Sequence, residues 1–197
     1  TTLGETYLDE AFQLAHEADP KARLFLNEYF PVHSATDERV LAFRDLVARL
    51  LARGVPIHGV GIQAHFSGPF PFARIPKRDA LEAMLRVFTD LGVVVELTEL
   101  DISINYFTSM DDPLVAQAAA YAGVVAACMA VPGCQAVTTW GIDDGHTWLD
   151  GTFPSDRFVP NLPLLFDAAL TEKPAYYAVR DEVAKAAGTR SRVAKNK

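Results

Sequence analysis

Two carboxylates stand at the end of the most strand-like stretch of the sequence. Glu99 follows the strand-like run 93–98, and Asp101 lies two residues further on, on the same side of an extended chain. A single glutamate at a strand end is most often a surface residue, but a pair of carboxylates also serves glycoside hydrolysis or metal binding. His65, which alone is more often a core or loop histidine, can join both carboxylates in a relay that fixes a nucleophile's charge and orientation.

Polar and aromatic residues also follow the other strand-like stretches. They are Asn27 and Tyr29, then Gln63, and then Trp140 with Trp148. In barrels and open α/β sheets alike, function gathers at the C-terminal ends of parallel strands. A tryptophan is by default a core residue, but beside a carboxylate in a cleft its ring is a stacking platform for a sugar. We therefore expect these strand ends to converge on one functional site.

Helical and strand-like patterns alternate along the chain. The helical patterns cover residues 3–18, 40–50, 81–91, 114–131 and 175–187, and the strand-like patterns cover 23–27, 57–65, 93–98 and 136–140. In the first helix, Leu3, Tyr7, Ala11, Leu14 and Ala18 share one apolar face. The alternation predicts an α/β fold with parallel strands, either an open doubly wound sheet or part of a (β/α)8 barrel. No glycine-rich phosphate loop follows the first strand, so nothing favours a nucleotide-binding sheet.

The composition is that of a folded globular protein, with 50% hydrophobic and 22% charged residues. The net charge of −7 argues against a nucleic-acid partner, which requires a basic surface. No apolar run approaches membrane-spanning length, so no membrane partner is predicted. We predict one domain over residues 1–187 and a basic, disordered tail over 188–197. Because the spacing of Glu99, Asp101 and His65 matches no standard ligand pattern, neither a metal nor another cofactor is predicted.

Cys128 and Cys134 are the two cysteines of the sequence, with Pro132 and Gly133 between them. Their spacing is compatible with a disulfide that closes a short loop, and equally with two buried free thiols. Spacing alone therefore leaves the pairing open.

Taken in order, these motifs resemble the C-terminal half of glycoside hydrolase family 10, the xylanase family. Residues 98–102, Thr-Glu-Leu-Asp-Ile, resemble the nucleophile motif, and residues 63–65, Gln-Ala-His, resemble the preceding strand end. Residues 140–148 resemble the last strand end of the family, and residues 163–176 resemble its closing segment. Residues 11–29 resemble its fourth helix and fifth strand. The resemblance implies a (β/α)8 TIM barrel of which about four βα units are present.

The resemblance also implies an activity, that of a retaining endo-1,4-β-xylanase acting on xylan or xylo-oligosaccharides. Such enzymes use two carboxylates about 5–5.5 Å apart, a nucleophile and an acid/base. Glu99 corresponds to the nucleophile, His65 to its hydrogen-bond partner and Asp101 to the residue that orients His65. The residues implied to contact the sugar are Gln63, Trp140, Trp148, Tyr29 and Asn27. A secreted protein with a disulfide between Cys128 and Cys134 is implied as well.

The acid/base glutamate of the family has no clear counterpart in this chain. It belongs to an Asn-Glu pair after the fourth strand, upstream of the helix with which this sequence begins. Asn27-Glu28 looks similar, but residues 24–29 correspond to the fifth strand, and Phe30 departs from the asparagine usual there. The alternative function is therefore a non-catalytic, xylo-oligosaccharide-binding or purely structural half-barrel. Because half a barrel exposes unpaired strand edges, we expect it to pair with an N-terminal half-barrel or a second copy.

Overall fold

The computed structural model describes residues 4–29, 34–66, 75–107, 111–152 and 160–195. Its helices are α1 (Thr6–Ala18), α2 (Glu38–Ala52), α3 (Arg78–Thr89), α4 (Pro113–Ala130), α5 (Leu149–Thr152) and α6 (Pro174–Lys195). Its strands are β1 (Phe25–Glu28), β2 (Gly59–Ile62), β3 (His65–Phe66), β4 (Val94–Ile102) and β5 (Cys134–Thr139). Leu3, Phe30 and the last two residues of the predicted tail lie outside these ranges. The predicted alternation of helices and strands is confirmed.

All strand pairs are parallel, and the main strands follow the order of the chain, β1-β2-β4-β5. The start of β4 pairs with β2 and its end with β3, so β2 and β3 are two pieces of one interrupted strand. A doubly wound sheet reverses its strand order at a switch point, whereas a barrel keeps neighbours in sequence. The structure therefore favours part of a (β/α)8 barrel over the open sheet.

The interruption between β2 and β3 falls at Gln63 and Ala64. The backbone of Ala64 has φ 63°, a left-handed conformation that costs a non-glycine residue about 1–3 kcal/mol. The N–H of Gln63 still donates to the carbonyl of Glu28 at 3.2 Å, and its carbonyl accepts from the N–H of Glu99 at 2.9 Å. After this turn, His65 lies opposite Asp101 in the register of the sheet. The interruption thus positions one of the predicted site residues.

The core lies between this sheet and the helices packed on it. Helix α2 begins after Asp37, whose side chain accepts a hydrogen bond from the backbone N–H of Arg39 at 2.9 Å. The buried face of α2 consists of Val40, Phe43, Val47 and Leu50. The buried face of α3 consists of Leu81, Met84, Leu85 and Phe88. Both faces follow the helical period, as the sequence predicted.

The prediction that no apolar run approaches membrane-spanning length is wrong for helix α4. By length and composition alone, Pro113–Ala130 is long and apolar enough to cross a membrane. In the fold, however, 44% of it is buried, and it packs on β4, β5 and α6. The buried polar groups of Gln117 and Tyr121 donate to the carbonyls of Ile102 and Pro163. Packing within the α/β fold accounts for the apolar composition of this helix.

The first helix presents its predicted apolar face to solvent. Tyr7 is 51% exposed and Leu14 is 57% exposed, and no residue of α1 is fully buried. Instead, Leu8 and Phe12 turn partly towards the core. The following strand, β1, pairs only with β2 among the described strands. This end of the sheet therefore combines an open strand edge with an exposed apolar helix face.

The last helix extends beyond the predicted boundary at residue 187. Helix α6 continues to Lys195, so the backbone of 188–195 is helical where the sequence predicted a disordered tail. That segment contains no proline, and its one glycine costs a helix only about 1 kcal/mol. The local sequence is therefore compatible with continuation of the helix.

Candidate active site

A β-bulge in β4 brings Thr98 and Glu99 to the same face of the sheet. Between the paired positions Leu97 and Leu100, β4 holds two residues where β5 holds one. Leu97 and Leu100 are buried in the core, whereas Thr98 and Glu99 are partly exposed. Asp101 follows Glu99 at the spacing of two that keeps side chains on one face.

Two groups hold the carboxylate of Glu99. The Nδ2 atom of Asn27 donates to Oε1 at 2.8 Å, and Nε2 of His65 lies 3.1 Å from Oε2. On the other side of the imidazole, Nδ1 lies 2.9 Å from Oδ2 of Asp101. The same oxygen accepts a hydrogen bond from Nε1 of Trp148 at 2.7 Å. The structure thus brings together Glu99, His65 and Asp101, the three residues that the sequence proposed as a relay.

His65 lies between the two carboxylates with little access to solvent. The exposed fraction is 9% for its side chain, 13% for that of Glu99 and 0% for that of Asp101. Burial lowers the pKa of His65, but the hydrogen bonds and charges of Asp101 and Glu99 outweigh it, so the pKa lies above the usual 6.5. A protonated imidazole donates from both nitrogens, one to each carboxylate. The raised pKa therefore favours the doubly donating form that orients Glu99.

Three aromatic rings surround His65. Their centroids lie 5.0 Å away for Trp148, 6.3 Å for Trp140 and 6.4 Å for Tyr29. Trp140 is 48% exposed and Tyr29 39% exposed, so both offer ring surface to a ligand. Trp148 is half-buried, and its N–H is bound to Asp101. Trp148 therefore supports the relay, whatever contact it also makes with a sugar.

Gln63 lies at the interruption of β2 and β3, with its backbone bonded to Glu99 and its side chain half-buried. The backbone of Gln63 thus lies beside that of Glu99, and its contact with a sugar stays a prediction. Within the described ranges, no group of three or more His, Cys, Asp or Glu side chains is arranged to hold a metal ion.

Glu28 faces away from this cluster. Side chains alternate along a strand, and its neighbour Asn27 reaches Glu99, so Glu28 turns to the opposite face. There it lines a groove with residues of α1 and α2, and its Oε1 accepts a hydrogen bond from the backbone N–H of Tyr29 at 2.8 Å. This orientation is consistent with the interpretation that Glu28 does not correspond to the acid/base of the family.

The structure contains the disulfide that the resemblance implied. Cys128, near the end of α4, is bonded to Cys134, the first residue of β5. The bond lies at the start of β5, which pairs with the start of β4, and it connects two elements of the scaffold.

Sequence reasoning missed two residues that shape the cluster. Thr98 Oγ1 donates to Oδ1 of Asn27 at 2.8 Å, and Gly61 lies directly against the same side chain. The glycines in residues 57–65 indicated a close approach, but the sequence did not show which group approaches. Asn27 was predicted to contact the sugar, and the structure adds the hydrogen bond to Glu99.

Comparison with known proteins places this geometry in a family. The sequence model described as "Glycosyl hydrolase family 10" matches residues 1–182. The chain belongs to glycosyl hydrolase family 10. The resemblance recognised from the motifs is thereby confirmed.

Family 10 relatives of this chain include named xylanases. This chain is 37% identical over 186 residues to an endo-1,4-beta-xylanase of Geobacillus stearothermophilus, and the match covers 90% of this chain and 53% of the relative. It is 39% identical over 178 residues to endo-1,4-beta-xylanase A of Humicola insolens, covering 90% and 44%. Among solved structures, native xylanase 10B from Thermotoga maritima matches with a TM-score of 0.79 and 30% identity, covering 92% of this chain and 53% of that one. The chain thus spans about half the length of these relatives.

Proposed function

We propose that this family 10 chain carries the nucleophile side of a retaining endo-1,4-β-xylanase site. The observation that carries the proposal is the carboxylate of Glu99, held in the C-terminal half of β4 by Asn27 and His65. The exposed ring of Trp140 has its centroid 6.3 Å from that of His65. The names of the relatives support xylan or xylo-oligosaccharides as the substrate.

The arrangement suits the chemistry of a retaining glycosidase. The nucleophilic carboxylate attacks the anomeric carbon, the glycosidic C–O bond breaks, and a covalent glycosyl-enzyme forms. The acid/base first protonates the leaving oxygen and then removes a proton from the water that hydrolyses the intermediate. Hydrogen bonds donated to the nucleophilic carboxylate fix its position relative to the anomeric carbon. Asn27 and His65 make such bonds to Glu99, one to each oxygen.

We propose that the acid/base comes from a complementary half-barrel. Glu28, the alternative within the chain that the sequence raised, lies on the other face of β1. The chain spans about half of its relatives, and the edge of β1 is open among the described strands. A partner on this edge would complete both the sheet and the catalytic pair.

The test uses two substrates that differ in their need for an acid. A 2,4-dinitrophenyl xylobioside has a good leaving group and bypasses the acid, whereas xylan requires it. We expect the chain alone to cleave the aryl xylobioside and not xylan. Glu99→Gln should abolish the cleavage, and the matched Glu28→Gln variant should retain it. Equal cleavage by wild type and Glu99→Gln would contradict the proposal.

The exposed ring of Trp140 also supports a second function, the binding of xylo-oligosaccharides without hydrolysis. Calorimetric titration with xylotetraose distinguishes the two. Binding that is unaffected by Glu99→Gln, in a protein that never cleaves the aryl xylobioside, would favour the second function.

We further propose an extracellular location, because disulfides persist in oxidising compartments. Detection of the protein in the culture medium of its host, with both thiols resistant to alkylation, would support this. Detection only inside cells with reactive thiols would refute it.

A further inference from the structure

Gly61 lies where any larger residue would disturb the group that holds Glu99. A Cβ atom built on Gly61 would lie 2.3 Å from Oδ1 of Asn27 and 3.0 Å from Cγ2 of Thr98. Contacts below 3.0 Å are not tolerated, so the Asn27 side chain would have to move. The space left by the missing side chain is therefore occupied by the Asn27 carboxamide.

That carboxamide has two hydrogen bonds that fix which way it points. Oδ1 accepts from the hydroxyl of Thr98, and Nδ2 donates to Oε1 of Glu99, each at 2.8 Å. Because an ionised carboxylate only accepts hydrogen bonds, the NH2 group must face Glu99, and a flipped amide would lose this bond and place Oδ1 against the carboxylate. The β4 bulge presents Thr98 and Glu99 together, so one asparagine spans both.

We propose that Gly61 is a positioning residue for the nucleophile, acting through Asn27 and Thr98. Its lack of a side chain lets Asn27 lie across β2, between the strand that carries Asn27 and the strand that carries Glu99. Gly61 pairs directly with Asn27 on one side and with Glu96 on the other, which places it in the middle of this bridge. The expected effect on reaction rate rests on the proposed function. The hydrogen bonds that Asn27 makes across Gly61 to Thr98 and Glu99 do not depend on it.

The chain offers a matched control two residues earlier on the same strand. A Cβ atom on Gly59 would lie 2.1 Å from the ring of Phe25, which is as severe a clash as that at Gly61. Phe25 precedes Asn27 by two residues, and its ring makes no hydrogen bond to Glu99. Gly59→Ala therefore disturbs the packing of the same two strands without displacing the Asn27 carboxamide.

The first measurement is NMR of the Asn27 side-chain amide in the full chain without ligand. An amide proton bonded to a carboxylate is shifted downfield and exchanges slowly with water. We expect this signature in wild type and in Gly59→Ala, and its loss in Gly61→Ala and Glu99→Ala. A Gly61→Ala variant that keeps the signature, or a Gly59→Ala variant that loses it, overturns the inference.

The second measurement is covalent trapping of the chain by a 2-deoxy-2-fluoro xylobioside with a 2,4-dinitrophenolate leaving group, followed by intact mass. A misplaced nucleophile slows the chemical step, so we expect Gly61→Ala to lower the maximal trapping rate at least about tenfold. The inhibitor concentration for half-maximal rate should stay within about twofold, because Gly61 makes no sugar contact in this account.

The maximal trapping rate of Asn27→Ala should match that of Gly61→Ala, and the double variant should be no slower than either single variant. An unchanged rate in Gly61→Ala overturns the inference, whereas a wild type that shows the amide signature but is never trapped counts against the proposed function alone.

Discussion

At the scale of single residues, the orientation of Glu99 depends on groups from several strands. Asn27 comes from β1, His65 from β3, and Asp101 from β4 itself. Asp101 binds the ring of His65 and itself accepts a hydrogen bond from Trp148. Asn27 and His65 therefore contact Glu99 directly, and Asp101 orients one of these contacts.

Replacement of Asp101 tests its effect on His65. Asp101→Asn removes the negative charge that raises the pKa of His65 and leaves at most a neutral acceptor, so this pKa should fall. The pKa is measured from the imidazole chemical shifts in a pH titration. Trp148→Phe is the control, because it removes a donor to Asp101 and leaves the charge beside His65. An unchanged pKa of His65 in Asp101→Asn contradicts this description of the relay.

The raised pKa of His65 also predicts how stability depends on pH. Because its pKa is higher in the folded than in the unfolded state, His65 stabilises the fold fully below the unfolded value of 6.5. This contribution is lost as the pH rises through the folded pKa. Urea unfolding of wild type and His65→Gln should therefore show a difference in the free energy of unfolding that shrinks from about pH 6 to about pH 9. A difference that grows over this interval would have the wrong sign.

At the scale of elements, the sequence predicted the strands better than their irregularities. The runs before Glu99 and after Gly133 are strongly β-forming, and both were predicted as strands. The bulge at Thr98 and the turn at Ala64 were not predicted, because pairing with neighbouring strands determines them. The sequence pattern ended the strand before Glu99, whereas β4 continues to Ile102 and includes both carboxylates, because its last residues pair with β3. Only the structure showed which side chains lie on one face.

The disulfide belongs to the element scale, since it connects the end of α4 to the start of β5. A short loop closed in the unfolded chain reduces its conformational entropy. The double variant Cys128→Ser with Cys134→Ser should lower the free energy of unfolding by about 2 kcal/mol, with the catalytic cluster intact. Urea unfolding measures the stability, and the Asn27 amide signal reports on the cluster. Equal stability of the variant and the oxidised wild type would contradict the prediction.

At the scale of the whole molecule, the sheet is open where a closed barrel would continue. The apolar stripe of α1, with Tyr7 and Leu14, is exposed at the β1 end of the sheet. The sequence predicted the stripe correctly as a helical face, but hydrophobic periodicity does not show what covers such a face. The overall parallel order was likewise predictable, because it follows from the alternation of helices and strands.

An open edge beside an apolar face predicts association. We expect sedimentation velocity to show self-association of the chain, or a complex with a complementary half-barrel when that is added. Leu14→Glu places a charge on the stripe and should weaken the association at least about tenfold, whereas Gln13→Glu on the same helix should not. This account is contradicted if the chain is a cooperatively folded monomer at all concentrations and does not bind the added half-barrel.

The central claim is that Glu99 is the nucleophile, and mapping a trapped intermediate tests it most directly. The chain is incubated with the 2-deoxy-2-fluoro xylobioside, which requires no acid to react, and the modified peptide is located by tandem mass spectrometry. We predict one sugar adduct, on Glu99, with none in Glu99→Gln. An adduct on another carboxylate such as Glu28, or a Glu99→Gln variant that is labelled as fast as wild type, would contradict the claim.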